Sequence, residues 1–221
     1  MRVDVWVDVA CPWCYIGKRR LERAIEALDG EPVEVVWRSY QLAPDAPRFG
    51  EPGAGDLAEE YLARKFGVGL AGAREMNARV SALAAAEGLD YRLDRARHTN
   101  TLDAHRLIQA AKEAGVADRL VEALFHAQFI DGARLDDHSV LRGLAVDAGM
   151  DRDAAARVLA GSEYVGEVVA DIREAAVRGA QGVPFFVIEN GLGITGAQPT
   201  ELLAQRMRAV AGADRGSAAA A

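Results

Sequence analysis

Two cysteines separated by two residues, Cys11-Pro12-Trp13-Cys14, form the part of the sequence with the clearest chemical potential. They are the only cysteines in the 221-residue chain. Two thiols at this spacing can close into a small disulfide, and amide groups at the start of a helix favour the thiolate form of the first thiol. The motif therefore predicts electron exchange between thiols and disulfides.

A zinc half-site and a pair of inert cysteines are the competing interpretations of the same motif. Zinc would need two more ligands, and the four histidines are scattered without a second paired cluster. We therefore predict redox chemistry and no metal. Pro12 and Trp13 carry no charge, so helix N–H groups and shape would set the stability of the thiolate. Trp13 is expected to contact substrate, the alternative being a plain surface aromatic residue.

The elements on either side of the motif are suited to hold it at a strand-to-helix junction. Residues 2–9 alternate in polarity and are rich in β-branched side chains, which predicts a strand. Pro12 suits the first turn of a helix, whose apolar face continues to Leu28 before Asp29-Gly30 stops it. A second apolar strand over 34–40 completes a β-α-β unit.

A helical block separates this unit from the remaining strands. Alanine-rich segments with helical periodicity predict helices over 56–66, 70–87, 99–114, 117–130, 137–149, 151–160 and 163–179. Residues 89–93 are the one candidate for a short strand within this block. Strand character returns over 184–189, and Asn190-Gly191 predicts a hairpin to a strand over 193–195. A final helix from Pro199 to Val210 gives the order β-α-β, helical block, α-β-β-α.

Charge and composition exclude several classes of function. The net charge of −7 argues against a nucleic-acid partner, which would require clustered Lys and Arg. The sequence lacks the run of about 18 apolar residues that would predict a membrane span. Met1 leads directly into the first strand without a secretory leader, so we expect a cytoplasmic protein. In that reducing compartment a lone pair of cysteines is more often catalytic or metal-binding than structural.

The order of elements, together with four motifs, resembles the thioredoxin fold and, more closely, the DsbA-like family. Within that family the chain resembles the FrnE-type proteins. The matching segments are Asp8-Val9-Ala10-Cys11-Pro12-Trp13-Cys14-Tyr15-Ile16-Gly17-Lys18, Asn100-Thr101-Leu102-Asp103-Ala104-His105-Arg106, Gly182-Val183-Pro184-Phe185-Phe186 and Thr195-Gly196-Ala197-Gln198. The resemblance implies an α/β thioredoxin-like domain, residues 1–50 and 165–212, interrupted by a mainly α-helical insertion domain, 51–164. We expect residues 213–221 to be a disordered tail.

The resemblance also assigns roles to the residues of the motifs. It implies that Cys11 is the nucleophile, Cys14 the buried resolving thiol, and Val183-Pro184 a cis peptide opposite the cysteines. Pro184 cannot ligate metal, and the bend would expose the Val183 backbone to a bound peptide. A trans, strand-initiating proline is the alternative that the sequence alone allows.

Four polar residues are further candidates for the site. Asp8 lies near the end of the first strand and can relay the proton of the buried thiol, or can simply face solvent. Asn100 is predicted on an apolar helix face, where it needs a loop backbone or a ligand as partner. His105 flanks that face as a substrate contact or as a structural residue between the domains. Gln198 can bind a glutathione-like ligand or its own turn.

These observations favour a cytoplasmic thiol–disulfide oxidoreductase or isomerase that acts through a mixed disulfide. Its partners would be a disulfide-containing protein or small molecule and a cellular thiol reductant, with glutathione as candidate co-substrate, no bound cofactor, and a monomer or homodimer as the assembly. The main alternative is a glutathione-dependent isomerase or transferase acting on a small aromatic or polyketide compound. Such relatives resemble this architecture but typically place serine where Cys11 stands. A holdase that binds clients in an apolar groove is the third alternative.

Overall fold

Four strands form one mixed sheet in the order β2-β1-β3-β4 in a computed structural model that describes residues 1–28 and 30–218, with side chains to residue 212. The strands are β1 (Arg2–Val7), β2 (Glu34–Ser39), β3 (Phe185–Ile188) and β4 (Gly193–Thr195). β1 and β2 are parallel, with Val5 opposite Trp37, whereas β3 runs antiparallel to both β1 and β4. A parallel pair joined by a helix, followed by a hairpin, is the predicted order.

Side chains of β1 are buried alternately on the two faces of the sheet. Val3, Val5 and Val7 belong to the main core, which includes residues of the first and last helices. Trp6, on the opposite face, packs with Ala175 and Phe185 in a smaller core. The Trp6 indole N–H donates to the carbonyl of Asp171 at 2.8 Å, so a helix is fixed over this face. Because both faces are covered, the end of β1 is held rigidly where the cysteines follow.

Nearly every helix lies within a few residues of its predicted bounds. The helices are α1 (Pro12–Glu26), α2 (Ala58–Phe66), α3 (Leu70–Ala86), α4 (Leu102–Glu113), α5 (Ala117–His126), α6 (His138–Asp147), α7 (Arg152–Ala160), α8 (Val165–Val177) and α9 (Thr200–Ala218). Side chains cap some of them as expected: Asp137 accepts from the Ser139 amide, and Asp151 from the amides of Asp153 and Ala154. Within the described residues, no helix combines the length and apolar character needed to cross a membrane.

Three details differ from the sequence-based expectations. Residues 89–93 form no strand; Leu89, Tyr91 and Leu93 are buried in alternation, but they pack in the main core without a neighbouring strand. The predicted helix over 117–130 changes after His126 into a π-helical turn, Ala127–Asp131. α9 continues to Ala218, into the segment for which a disordered tail was predicted, while residues 219–221 and Asp29 lie outside the described residues. The boundaries between the two domains remain a prediction.

Candidate active site

Cys11 and Cys14 lie at the point where β1 passes into α1. Cys11 is the N-cap residue of α1 and Pro12 its first residue, so the first thiol belongs to the helix start, although it makes no capping hydrogen bond to the helix amides. The Cys14 amide donates to the Cys11 carbonyl at 3.0 Å, and the Cys11 amide to the Asp8 carbonyl at 2.9 Å. Both cysteines are free thiols. These backbone bonds hold the pair in the first turn of the helix.

The two thiols have different surroundings. The Cys14 side chain is fully buried, and burial, together with its interaction with Cys11, raises the pKa of its thiol well above the usual range. Cys11 is 4% exposed and lines a cavity, and its Sγ lies 3.5 Å from the carbonyl oxygen of Val183. The arrangement therefore offers one thiol that can be approached from a cavity and one that is sealed behind it.

The Val183-Pro184 peptide packs against the start of α1. It is cis, as the resemblance implies. A Cβ atom at Gly17 would lie 2.8 Å from Pro184 Cγ and 3.2 Å from Phe186 Cζ, so only glycine allows this approach. The Gly196 amide donates to the Pro184 carbonyl at 2.7 Å and ties this proline to the end of β4. The glycine in the helix thus sets the distance between the cysteines and the proline.

Asp8 is buried directly behind the cysteines. Its side chain is 1% exposed and accepts hydrogen bonds from the amides of Ala10, at 3.1 Å, and Leu42, at 2.7 Å. His105 is fully buried, and its Nε2 lies 3.5 Å from Asp8 Oδ1. Among the described residues, neither ring nitrogen of His105 has a hydrogen-bond partner. The two predicted candidates are therefore brought together at the buried side of the motif, and the solvent-facing alternative for Asp8 is wrong.

Cys11 opens into a cavity of about 360 Å³, which we call the active-site cavity. Its size falls within the range of small-molecule sites. Trp13, which is 39% exposed, forms part of its edge near Cys11 and Val183. The other lining residues come mainly from α2, α3 and the segment before α4, and include Leu62, Phe66, Met76, Val80, Leu93, His98 and Phe129. The helical block thus supplies most of the wall opposite the cysteines.

Two predicted substrate-binding residues make local contacts away from this cavity. Asn100 precedes α4 rather than lying on its apolar face; its Nδ2 donates to the carbonyls of Pro44 and Ala46, and its Oδ1 accepts from the Leu102 amide. The loop backbone is therefore the partner that a polar residue there requires. Gln198 Nε2 donates to the Thr195 carbonyl at 2.7 Å, within its own turn. Neither residue lines the active-site cavity.

Sequence reasoning missed two residues that shape the site. The Tyr91 hydroxyl donates to the Pro12 carbonyl at 2.6 Å, so a segment of the helical block fixes the turn between the cysteines. The Tyr91 ring packs near those of Tyr15 and Phe129, at centroid distances of 6.2 Å and 5.2 Å. No local pattern marks such a long-range contact. Gly17 could have been found, because a glycine inside a helical pattern often marks close packing.

Possible metal ligands lie apart from one another in the described part of the chain. Among the described residues, no group of three or more His, Cys, Asp or Glu side chains is arranged to hold a metal ion.

Comparison with known proteins identifies the family. The model of the DSBA-like thioredoxin domain matches residues 2–208. A probable DsbA oxidoreductase from Streptomyces coelicolor has 41% identity and a TM-score of 0.88, covering 96% of this chain and 90% of that one.

Two more distant structures share the fold. A 2-hydroxychromene-2-carboxylate isomerase is 18% identical, with a TM-score of 0.68 and full coverage of both chains. The cytosolic disulfide reductase DsbM from Pseudomonas aeruginosa is 17% identical, with a TM-score of 0.66 over 97% of this chain and 98% of that one. The predicted α/β class, a thioredoxin-like fold with a mainly helical insertion, is confirmed. The chain belongs to the DSBA-like thioredoxin domain family.

Proposed function

We propose that this protein is a thiol–disulfide oxidoreductase or isomerase in which Cys11 attacks the substrate and Cys14 resolves the intermediate. One observation carries the proposal: the thiol at the helix start lines the cavity, while the second thiol is sealed behind it. Membership of the DsbA-like family supports the same chemistry. The FrnE-type assignment within that family is part of the proposal.

The reaction proceeds in two exchanges. The Cys11 thiolate attacks one sulfur of a substrate disulfide; the new bond joins Cys11 to that sulfur, and the other sulfur leaves as a thiolate that takes up a proton. Cys14 then loses its proton and attacks Cys11. The Cys11–Cys14 disulfide forms, the substrate leaves as its second thiol, and two electrons have passed from the protein to the substrate.

Asp8 is the proposed proton acceptor for Cys14. Its carboxylate is buried beside the motif, and its charge adds to the rise in the pKa of the Cys14 thiol that burial causes, while a hydrogen bond with the Asp8 backbone opposes that rise. A base is needed because a thiol with a raised pKa is rarely a thiolate at neutral pH. His105, 3.5 Å from the carboxylate, is the proposed partner that shares the proton. Val183, whose carbonyl lies beside Cys11 Sγ, and Pro184, which packs against Gly17 of α1, position the incoming sulfur.

A reducing or reshuffling role suits a cytoplasmic location, which is also part of this proposal. The protein disulfide would be returned to the dithiol by a cellular thiol such as glutathione, which supplies the two electrons and is itself oxidised. A structure of the fold relative DsbM was determined with GSH. For the present chain, glutathione is proposed as co-substrate and not as a bound cofactor.

Loss of Cys11 and loss of Cys14 test different parts of this proposal. Cys11→Ser should abolish exchange with a disulfide peptide. Cys14→Ala should still attack but accumulate a mixed disulfide, detectable by mass spectrometry as the added mass of the peptide. Retention of exchange by Cys11→Ser would falsify the assignment of the nucleophile, and a failure of Cys14→Ala to trap the peptide would contradict the order of steps.

A glutathione-dependent isomerase or transferase remains the second candidate, because the apolar active-site cavity can hold a small compound. The two functions differ in their need for thiols. Turnover of a small aromatic substrate with glutathione, retained after Cys11→Ser and Cys14→Ala are combined, would favour this second function. Loss of that turnover together with disulfide exchange favours the first.

A further inference from the structure

Two buried polar atoms in the wall of the active-site cavity are left without partners. Thr99 is 3% exposed and Gln128 is 2% exposed, and both line the cavity. Within the part of the chain that the structure describes, neither Thr99 Oγ1 nor Gln128 Oε1 makes a hydrogen bond. Buried polar groups are nearly always paired, because an unpaired one loses its hydration without compensation. Two such atoms in one cavity point to a ligand with complementary polar groups.

One hydrogen bond joins the two segments that carry these residues. Gln128 Nε2 donates to the carbonyl of Arg97 at 2.8 Å, two residues before Thr99. Gln128 also lies in the π-helical turn after α5, and such turns occur frequently at functional sites. The amide nitrogen is thus engaged within the protein, and the amide oxygen is left as an unpaired acceptor.

Apolar and aromatic side chains surround this polar pair. Leu62, Phe66, Met76, Val80 and Phe129 line the same cavity. The rings of Tyr61 and His98 stack there with centroids 3.6 Å apart. An aromatic ligand gains from offset-stacked or edge-to-face contact with such rings. A flat, mainly apolar molecule matches these walls.

The charged residues around the cavity are already engaged within the protein. Both carboxylate oxygens of Asp8 accept backbone amides, and Arg97 donates to the Gly55 carbonyl at 3.2 Å. The Lys65 ammonium lies over the Tyr61 ring, 5.3 Å from its centroid. Since an unpaired charge is costly in apolar surroundings, these contacts favour an uncharged ligand.

We propose that the active-site cavity selects a small, uncharged aromatic disulfide that carries a hydroxyl group. The hydroxyl donates to Gln128 Oε1 and accepts from the Thr99 hydroxyl, and its ring lies against the aromatic walls. The Cys11 thiolate then attacks one sulfur of the compound, the sulfur–sulfur bond breaks, and the other half leaves as an aromatic thiolate. The inference rests on the proposed exchange chemistry for this last step and assigns specificity to Thr99 and Gln128.

Matched disulfides measure the proposed preference. In the Cys14→Ala protein, bis(4-hydroxyphenyl) disulfide and diphenyl disulfide should form mixed disulfides with Cys11 at different rates. Each rate is divided by the rate of the same probe with N-acetylcysteine, which removes the difference in intrinsic reactivity. We expect a normalised preference for the hydroxylated probe of about five- to tenfold, the size expected from one or two hydrogen bonds.

Substitutions in the cavity wall should remove this preference. Thr99→Val keeps the shape of the side chain but removes its hydroxyl, and we expect the ratio to fall to about one to two, in keeping with the loss of a hydrogen bond. Gln128→Met gives a second, independent test. Thr195→Val, at an exposed position of β4, is the control and should keep the full preference. A rate ratio near one in the Cys14→Ala protein with no cavity substitution, or an unchanged ratio in both cavity variants, overturns the proposal.

A measurement without thiols separates this inference from the exchange function. With Cys11→Ser and Cys14→Ala combined, calorimetry should show tighter binding of 4-(methylthio)phenol than of thioanisole, and Thr99→Val should equalise the two. This preference in a protein whose Cys11 proves unreactive would support the cavity assignment and contradict the proposed function. Normal exchange with equal binding of the two thioethers would contradict the cavity assignment alone.

Discussion

The two thiols of the motif differ in accessibility because their immediate surroundings differ. Cys11 is the N-cap residue of α1 and its Sγ contacts the Val183 carbonyl, whereas Cys14 is enclosed by the core. A buried thiol ionises reluctantly, since the thiolate loses the solvation that water provides. The resolving step therefore depends on a nearby group that can take the Cys14 proton, and Asp8 is the buried carboxylate beside the motif.

Asp8→Asn should slow the second exchange more than the first. The asparagine amide would keep the size of the side chain but could not take a proton, and we expect resolution to slow by about 10- to 100-fold, at the lower end of the range for loss of a general base. Because the Cys14 pKa is raised, resolution should accelerate as pH rises. The variant should need a higher pH than the parent for an equal rate, as stopped-flow measurements between about pH 6.5 and about pH 10, a range around the ordinary cysteine pKa, would show.

Asp4→Asn is a matched control for this experiment. Asp4 is a buried carboxylate of β1, the strand that leads to Asp8, but it is engaged by Arg38 and Arg2 and does not line the active-site cavity. The control can reduce stability, yet it should leave the ratio of the two exchange rates unchanged. Equal slowing of resolution in both variants would show that Asp8 has no special part in the reaction.

At the scale of elements, the close packing of α1 against the start of β3 depends on one glycine. Gly17 presents no side chain to Pro184, and the two elements approach so closely that a methyl group would not fit between them. Helix propensity alone favours alanine over glycine by about 1 kcal/mol. The contact with Pro184 reverses this preference, because the built Cβ lies at 2.8 Å from a ring atom.

Gly17→Ala should therefore destabilise the protein and reduce exchange. Overpacking of this kind typically costs about 1–3 kcal/mol, and the displaced proline should alter the wall opposite Cys11. Gly143→Ala in α6 is the control, since a Cβ there meets nothing within 4 Å and should stabilise the helix. Urea unfolding and exchange rates measure both effects. A gain of stability at both positions would contradict the close contact at Gly17.

The predictability of these elements follows from how local their signals are. Helix and strand positions depend on periodicity and on glycine or Asx breaks, so most bounds could be predicted within a few residues. The π-helical turn at Ala127–Asp131 has no such signal, and the helical prediction continued through it. Residues 89–93 have the alternation of a strand but no neighbour to pair with. Strand pairing depends on the whole molecule, so the local pattern gave a wrong prediction here.

The residues of the candidate site likewise differ in whether the sequence could predict them. The cysteines, Asp8 and Val183-Pro184 could be found from a motif and a resemblance, and the structure brings them together. Thr99 and Gln128 come from segments that meet only in the folded chain, and neither has a chemical signal in sequence. Their unpaired oxygens became visible only once burial was known.

At the scale of the whole molecule, an ion cluster joins α1 to the helical block. Lys18 of α1 is 2% exposed and lies 3.0 Å from Glu122 of α5, which also binds Arg19 and accepts from the Tyr15 hydroxyl at 2.6 Å. Asp118 of α5 lies 3.4 Å from the same ammonium and accepts from the Trp37 indole. The helix that carries Cys14 is thereby fixed to the wall of the helical block.

The pH dependence of stability should report this junction. Burial disfavours the Glu122 carboxylate, but the hydrogen bonds from Arg19 and Tyr15 and the charge of Lys18 outweigh it and hold its pKa below the ordinary 4.5. A group with a lowered folded pKa stabilises the fold above its unfolded pKa, and this contribution is lost as pH falls through the folded value. The Glu122 contribution should thus be complete at pH 7 and disappear in acid below about pH 4.5.

Glu122→Gln should lower the free energy of unfolding at pH 7 by about 1–2 kcal/mol, the range for hydrogen bonds to a charged group at a partly exposed site. The difference from the parent should shrink as pH falls below 4.5, since the parent then protonates Glu122. Glu75→Gln removes an exposed pair with Arg79 and should change stability by less than about 0.5 kcal/mol. Urea unfolding of the three proteins at several pH values measures these differences. If Glu122→Gln behaves like Glu75→Gln at every pH, the cluster does not hold α1 against the helical block.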